Sequence, residues 1–171
     1  VIFGNTLTDA TLPAIVLRGT PNAVVEGNLV YGNGGTALSI SKCSGCAAST
    51  NVLVRGNTFW GNQLATIGSS FGEVSATQQS SLILVHNLIG ANSRFCIDLD
   101  ANSSFLRSDY NDLFAFGTAG VGAKGGATAA TLPAWQTVSA QDANSISVDP
   151  QFVSPVDFHL KSVAGRPGPM G

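Results

Sequence analysis

The sequence predicts an all-β solenoid with three short strands in each turn, because two patterns recur along the chain. Asparagines five residues apart appear as Asn28 and Asn33, Asn57 and Asn62, and Asn87 and Asn92. The steps between first members, counted from Asn5 to Asn111, are 23, 29, 30 and 24 residues. Repeats of this length are typical of stacked supersecondary units. Short apolar runs with period-two alternation surround each pair, which indicates strands.

The apolar positions form columns when the repeats are aligned on the first asparagine. Three residues before it the chain has Ile2, Val25, Val54 and Leu84, and two residues after it Leu7, Val30, Phe59 and Ile89. Beyond the second asparagine the columns contain Leu38, Ile67 and Ile97, then Ile40, Ser69 and Leu99. These columns predict three strands per turn and roughly six turns, each contacting only its neighbours.

The recurring asparagines themselves predict ladders of side-chain hydrogen bonds. Side chains in register on successive turns can bond up and down the stack, as asparagine ladders do in cross-β structures. The predicted ladder residues are Asn5, Asn28, Asn57 and Asn87 in one column and Asn33, Asn62 and Asn92 in the other. Glycine precedes the first asparagine at Gly4, Gly27 and Gly56, where a tight turn favours positive φ.

The repeat pattern predicts one domain over residues 1–171, with regular turns over 1–106. Residues 107–171 are expected to hold the final turns and a long surface loop, since 115–131 is rich in Gly, Ala and Thr and shows no repeat. A short helix is predicted near 132–138, with Pro133 near its start, and last strands near 146–148 and 158–160. Neither end shows a cap, so we expect a fragment or a unit of a larger assembly.

Composition excludes several function classes. Charged residues make up only 11% of the 171 residues and the net charge is −2. This balance gives no electrostatic footprint for nucleic acid. No apolar run approaches the length needed to span a bilayer.

Residues 53–62 resemble the repeats of right-handed parallel β-helix proteins. The later stretches 108–111, 142–146, 149–152 and 157–160, with Trp135 between them, are similar to the C-terminal part of secreted bacterial β-helix proteins of the pectate-lyase-like superfamily. This resemblance implies a right-handed parallel β-helix on a bacterial cell surface or outside the cell. It leaves the activity open, because the superfamily includes lyases, hydrolases, epimerases, binding modules and structural proteins.

Asp98 and Asp100 flank Leu99 on one predicted strand, so both carboxylates point outward from the same face. Their predicted equivalents on other turns are Val16 with Arg18, Ser39 with Ser41, and Gly68 with Ser70. The resemblance implies that this face lines a polysaccharide groove. The two carboxylates could bind calcium there or act as acid and base. The alternative is a solvated strand face, and no other cofactor is predicted.

Arg94 and Lys42 are the accompanying cationic candidates. Arg94 could meet a uronate carboxylate or, alternatively, pair with Asp98 or Asp100. Lys42 follows Ser41 and could serve as a base, or could simply be solvated. These residues do not complete a lyase or hydrolase constellation.

The aromatic and remaining charged columns have two interpretations each. Tyr31 and Trp60 share one column and could stack on sugar rings or pack against a neighbouring loop. Glu26 and Arg55 occupy neighbouring turns and predict a structural ion pair.

The three cysteines and two histidines predict no metal site. Cys43 and Cys46 lie in one short loop and predict a disulfide in an oxidising compartment, which leaves Cys96 as an unpaired thiol near the surface of the core. Lone histidines such as His86 and His159 are expected to be hydrogen-bonded structural groups.

The sequence therefore favours an extracellular or surface module associated with polysaccharide, without a complete catalytic site. One alternative is a structural, filament-forming envelope protein that self-associates end to end. Another is part of a polysaccharide lyase or glycoside hydrolase. None of the three predicts a nucleic-acid partner or a membrane span.

Overall fold

The chain winds through three parallel sheets, visiting each sheet once per turn. The structure, a computed structural model, describes residues 1–64, 72–79 and 81–161. The first sheet contains β1 (Ile2–Phe3), β4 (Val24–Glu26), β7 (Leu53–Arg55), β10 (Leu82–Val85) and β13 (Phe105–Asp109). The second contains β2 (Thr6–Leu7), β5 (Leu29–Tyr31), β8 (Thr58–Trp60), β11 (Leu88–Ala91) and β14 (Asp112–Ala115).

The third sheet differs from the other two at its far edge. Its parallel strands are β3 (Ile15–Arg18), β6 (Leu38–Ser41), β9 (Gly72–Thr77), β12 (Phe95–Leu99) and β15 (Gly120–Lys124). An antiparallel strand, β16 (Ala127–Ala129), pairs with β15 and ends the sheet. A helix, α1 (Leu132–Ser139), and a separate hairpin of β17 (Phe152–Ser154) and β18 (Asp157–Leu160) follow.

The core fills the space between the sheets with the predicted apolar columns. Val25, Val54 and Leu84 pair in register across the first sheet and have no exposed surface. Val30, Phe59 and Ile89 do the same in the second sheet. Alternate residues of each short strand therefore point inward, which is the period that a strand imposes.

One expected column is wrong in the third sheet. Val74 of β9 pairs with Ile97, and Ala76 pairs with Leu99. These residues occupy the positions predicted for Ile67 and Ser69, which lie outside the described residues, as do Gly68 and Ser70. The third turn is longer, so β9 begins later in the sequence than the repeat predicts. A fixed count of residues from the second asparagine cannot detect such an insertion.

The first asparagine ladder is continuous over five turns. The backbone N–H and Nδ2 of Asn57 both donate to Asn87 Oδ1 at 3.0 Å. Asn57 Oδ1 accepts the same two bonds from Asn28, at 2.9 and 3.0 Å. The pattern begins at Asn5 and reaches Asn111. Each of these amides is satisfied within the stack, so the predicted ladder is confirmed in this column.

The second ladder departs from the prediction at Asn92. Asn33 donates to Asn62 Oδ1 as expected, at 3.1 and 2.7 Å. Asn62 then donates to Glu73, through its N–H to Oε1 at 2.9 Å and through Nδ2 to Oε2 at 2.7 Å. Asn92 Oδ1 is buried without a hydrogen-bond partner. A carboxylate from β9 has therefore replaced the amide of the fourth turn, and Asn92 as a ladder member is wrong.

The C-terminal end of the stack is capped, contrary to expectation. Five turns each contribute one strand to every one of the three parallel sheets. Of a sixth turn, the described residues form a single parallel bridge, between Asp112 and Ile146. Residues 115–131, expected as a loop, instead supply β15 and β16. The helix α1 packs on those two strands and buries Trp135 completely. A ring over Gly122 leaves no room for a Cβ there, since an added Cβ would lie 2.4 Å from Trp135.

The first ladder ends on the carboxylate of Asp142. Asn111 Nδ2 and Ser145 Oγ donate to Oδ1 at 3.0 and 2.7 Å. Ser108 Oγ and Trp135 Nε1 donate to Oδ2, both at 2.9 Å. Asp142 is 1% exposed. Both oxygens of this carboxyl accept, so it is a suitable terminus for a column in which each asparagine donates to the next one toward the C-terminus.

The corner before the first ladder requires left-handed backbone on every turn. Gly27 and Gly56 adopt φ of 63° and 62° there, as predicted. His86 and Tyr110 adopt φ of 56° and 57° at the same corner. Their rings stack with centroids 5.3 Å apart, which offsets part of the strain of non-glycine residues in this region.

The predicted ion pair between Glu26 and Arg55 is confirmed on the outer face of the first sheet. Arg55 Nε and Nη2 approach the two carboxylate oxygens at 3.0 Å each. Both side chains are partly exposed, so the pair contributes about 0–1 kcal/mol.

Replacing Asn57 with Leu tests the first ladder. Loss of the amide removes the Oδ1 acceptor of the Asn28 backbone N–H and Nδ2. It also removes one of the two donors to Asn87 Oδ1, which keeps the backbone N–H of residue 57. The free energy of unfolding is expected to fall by about 1–3 kcal/mol, measured by urea denaturation. The control is Asn102→Leu at an exposed turn. Equal effects of the two substitutions would contradict the ladder.

Replacing Asp142 with Ala tests the cap. Four buried donors lose their acceptor at once, so the free energy of unfolding is expected to fall by about 3 kcal/mol or more. Asp149→Ala removes an exposed carboxylate from the same segment and is expected to cost under about 0.5 kcal/mol. Thermal unfolding is followed by tryptophan fluorescence, to which Trp135 contributes together with Trp60. A cap that tolerates Asp142→Ala would refute this assignment.

Candidate functional site

The outer face of the third sheet forms an open groove of about 590 Å³. Its floor is made by side chains that point outward from four neighbouring strands. Two parallel rows cross the strands, one containing Ser39, Ser75 and Asp98, the other containing Arg18, Ser41, Thr77 and Asp100. The inward neighbours in these strands belong to the core, which holds the outward hydroxyls in fixed register.

A wall closes the groove at the C-terminal side. Gly125 and Gly126 form the turn between β15 and β16, and Ala101 follows β12. Gly125 approaches Ala101 so closely that an added Cβ would lie 3.4 Å from its Cα. The groove therefore has one end bounded by backbone and one end that begins at Arg18.

The two carboxylates stand at the walled end. Asp100 accepts the backbone N–H of Gln78 at 3.2 Å on each oxygen, and Ser103 Oγ donates to Oδ1 at 2.5 Å. Asp98 pairs with Ser75 across the sheet and is half-buried. Asp100 is thus fixed by its loop, while its side chain still borders the groove.

The charges are separated along the groove. Arg18 and Asp100 lie in the same row with two strands between them, a separation of about 14 Å at ordinary strand spacing. Hydroxyl groups occupy the interval. Arg18 therefore lines the same groove as the predicted acidic pair. The sequence predicted Arg18 only as the equivalent of Asp100 on the first turn.

The structure separates the two other cationic candidates from the groove floor. Arg94 lies in the turn before β12, at the opposite end of that strand from Asp100, and its carbonyl accepts the N–H of Gly120 at 2.7 Å. Lys42 is exposed and lines a neighbouring hollow of about 380 Å³ with Gln78 and Asn102. Neither one lies between the carboxylates and the hydroxyl row.

The donor set in the groove is small for a calcium ion. Calcium takes six to eight oxygen ligands. Asp98 and Asp100 supply the carboxylates, and one of them already accepts bonds from Gln78 and Ser103. In residues 1–64, 72–79 and 81–161, no group of three or more His, Cys, Asp or Glu side chains converges.

The aromatic column on the second sheet is covered. The hairpin of β17 and β18 lies across it, with Phe158 at 4.6 Å from the Tyr31 ring and Phe152 edge-on to Trp60 at 4.7 Å. Phe116 also stacks on Trp60 at 5.0 Å. Packing against a neighbouring segment, rather than an open sugar platform, is therefore the arrangement of Tyr31 and Trp60.

A second cavity, of about 600 Å³, lies beside this hairpin and was not expected from sequence. Leu29 and Thr58 line one side, and Asp157, Phe158 and His159 line the other. His159 Nδ1 meets Asp157 Oδ1 at 2.5 Å, and this contact lowers the pKa of the Asp157 carboxyl. The spacing Asp-Phe-His, which puts both polar residues on one face of a strand, was the available signal.

The cysteines divide as predicted into one bridge and one thiol. Cys43 and Cys46 form a disulfide in the loop after β6. The loop folds onto Gly19, where an added Cβ would lie 2.9 Å from the Cβ of Cys46. Cys96 is fully buried rather than near the core surface, and burial raises the pKa of its thiol.

The family of the chain follows from a comparison with known protein families. A sequence profile described as "Right handed beta helix region" matches residues 1–132. The chain belongs to this family. The predicted right-handed parallel β-helix is thereby confirmed for the stacked turns. Comparisons with curated proteins and with solved structures give no match. In the described part of the β-helix, no helix is long and apolar enough to cross a membrane.

The burial of Cys96 predicts low reactivity in the native β-helix. Thiol labelling by a disulfide reagent at pH 8 is expected to be at least about 100-fold slower in buffer than in denaturant, because the buried group reacts only after opening. A Ser147→Cys variant adds an exposed thiol and should react at once. Rapid labelling of the native wild type would show that Cys96 is accessible.

Proposed function

We propose that the groove on the third sheet binds a glycan without cleaving it. The observation that carries this proposal is the row of hydroxyls from Ser39, Ser41, Ser75 and Thr77, presented across parallel strands at a fixed spacing. A glycan chain offers hydroxyls at regular intervals. Hydroxyls on both partners can donate and accept, so a regular row can follow such a chain.

Charge favours a neutral glycan over a polyuronate. The groove carries Arg18 at one end and Asp98 with Asp100 at the other, so its carboxylates outnumber its cation. A polymer of uronates would bring like charges against Asp98 and Asp100. Repulsion of that kind selects against a ligand even where shape permits it.

The residues in the groove support binding better than catalysis. A hydrolase needs an opposed pair of carboxyl groups about 5–9.5 Å apart across the scissile bond. Asp98 and Asp100 instead lie two residues apart on one strand and on one side of the groove. Lys42, the candidate base, lines the adjacent hollow. The described residues therefore hold a ligand without surrounding it with acid and base.

Two features support a location outside the cell. The Cys43–Cys46 disulfide belongs in an oxidising compartment. β-Helix domains of this family are commonly polysaccharide-related. The β-helix would then be a surface or secreted module, as the resemblance implied.

Titration of ¹⁵N-labelled protein with a panel of neutral, uronate and amino-sugar oligosaccharides tests the proposal. Neutral oligosaccharides are expected to shift the amide signals of β6, β9 and β12. Thr77→Trp places a bulky ring on the groove floor and should weaken binding by about tenfold or more, equivalent to ~1.4 kcal/mol. Thr6→Trp introduces the same ring at an exposed strand position of the second sheet and should leave binding unchanged.

Two results would refute the proposal. One is the absence of shifts on the third sheet with every oligosaccharide in the panel. The other is equal loss of binding in Thr77→Trp and Thr6→Trp. Release of reducing sugar or unsaturated product from any glycan in the panel would instead favour the enzyme alternative.

A further inference from the structure

Glu73 occupies a place in the stack that the repeat reserves for an amide. In the first ladder, both donors of Asn57 meet the single Oδ1 of Asn87 on the next turn. In the second ladder, the two donors of Asn62 meet the two oxygens of Glu73. The Glu73 carboxyl therefore lies at the level where the next asparagine, Asn92, should present its acceptor.

The exchange leaves a mismatch at this level. Asn62 supplies the two hydrogen bonds that the structure gives Glu73, and Glu73 has no exposed surface. Asn92 Oδ1, which the repeat predicts at this level, is a buried acceptor without a donor among the described residues. A carboxyl can donate to such an acceptor only when it carries a proton.

The described strands that pack against β9 supply no compensating positive charge. The nearest cation by register is Arg94, in the turn before β12, whose neighbour Phe95 pairs with Gly72. The strands β6 and β11 contain no titratable residue. The strand β12 contributes Cys96 and Asp98, and the neighbouring β14 contributes Asp112. Each of these can only add negative charge. Burial without a cation favours the neutral form of a carboxyl, and burial raises the pKa of Glu73 to about 8.

We propose that Glu73 is a protonated carboxylic acid in the folded β-helix, that it donates its proton to Asn92 Oδ1, and that loss of this proton releases the third turn from the fourth. The protonated acid closes the second ladder. Its ionised form places an uncompensated charge between two turns. Glu73 lies near the start of β9, two residues before Ser75, so the latch and the groove share one strand.

The direction of the pH effect follows from proton binding. The unfolded chain releases the Glu73 proton near pH 4.5, and the folded chain keeps it until about pH 8. Stability therefore falls as pH rises through this interval and levels off above it. Burial also raises the pKa of Asp112, to about 7. This adds a decline in stability with rising pH that ends at a lower pH than the decline from Glu73. Above pH 7 the titration of Asp112 is still incomplete, and the buried thiol of Cys96, whose pKa is also raised, adds a decline of the same sign. The comparison with Glu73→Gln therefore isolates the contribution of Glu73.

The direct measurement is carbon NMR of glutamate side-chain carboxyls. The chain contains two glutamates, Glu26 and Glu73, so glutamate-selective ¹³C labelling gives two carboxyl signals. Glu26 forms the exposed pair with Arg55 and serves as the internal control. We expect the Glu73 carboxyl to have the shift of the acid at pH 6 and to titrate only at alkaline pH. Glu→Gln substitutions at each site assign the signals.

Thermal unfolding of the same variants measures the latch. The midpoint of the wild type is expected to fall by several degrees between pH 7 and pH 9. Glu73→Gln keeps an acceptor for Asn62 and a donor for Asn92 and has no proton to lose at this position, so its midpoint should fall clearly less than that of the wild type. Glu26→Gln should retain the wild-type slope. Asn92→Ala removes the acceptor of the proposed proton and should move the Glu73 titration to lower pH.

The outcomes separate cleanly. An acid-form Glu73 signal at pH 6, with a pH slope that Glu73→Gln reduces, supports the latch. An ionised signal at pH 6, or a slope between pH 7 and pH 9 that Glu73→Gln leaves undiminished, overturns it. A titration that Asn92→Ala leaves unmoved refutes Asn92 as the partner. The NMR result on the wild type stands even where a variant fails to fold.

Discussion

Every structural feature of this β-helix depends on how its buried side-chain amides are satisfied. A coil of short strands turns sharply at each corner, and the corner that carries the first ladder exposes backbone groups toward the interior. Asn28, Asn57 and Asn87 fill these corners, and each has its own amide bonded to the turns on both sides. Buried polar groups left unpaired cost on the order of 1–3 kcal/mol each, so one corner fixes the register of the next.

The ladders have a direction, and that direction creates a need at their ends. Asn57 donates to the next asparagine on the C-terminal side as well as to a carbonyl of the preceding turn, so the last asparagine of the column needs a further acceptor. Asp142 meets this need with four donors around one carboxylate. Among the described residues, Glu73 accepts from Asn62. The same functional group therefore ends the first ladder with four donor residues around it and receives a single donor residue in the second.

The three outer faces of the β-helix are covered to different extents, and the proposed function rests on this difference. The first sheet carries the exposed pair of Glu26 and Arg55. The second is covered by the hairpin through the rings of Phe152 and Phe158. The third remains open as a groove with small hydroxyl side chains on its floor. Because neighbouring strands of the solenoid repeat at a fixed distance, the open face presents a periodic surface, which suits a periodic ligand.

The amino-acid sequence by itself determined the repeating part of this protein. Period-two apolar columns and asparagines in register specify strands, corners and stacking, because each turn contacts only its neighbours. It also placed Asp98 and Asp100 on one outward face, since strand geometry alone fixes that relation. Tertiary structure decided what breaks the repeat. The delayed β9 brought Glu73 into the position of Asn92, and the segment after β15 folded back as a cap around Trp135 and Asp142. These contacts join residues that differ from the repeat and lie at irregular separations, so no local period in the sequence encodes them.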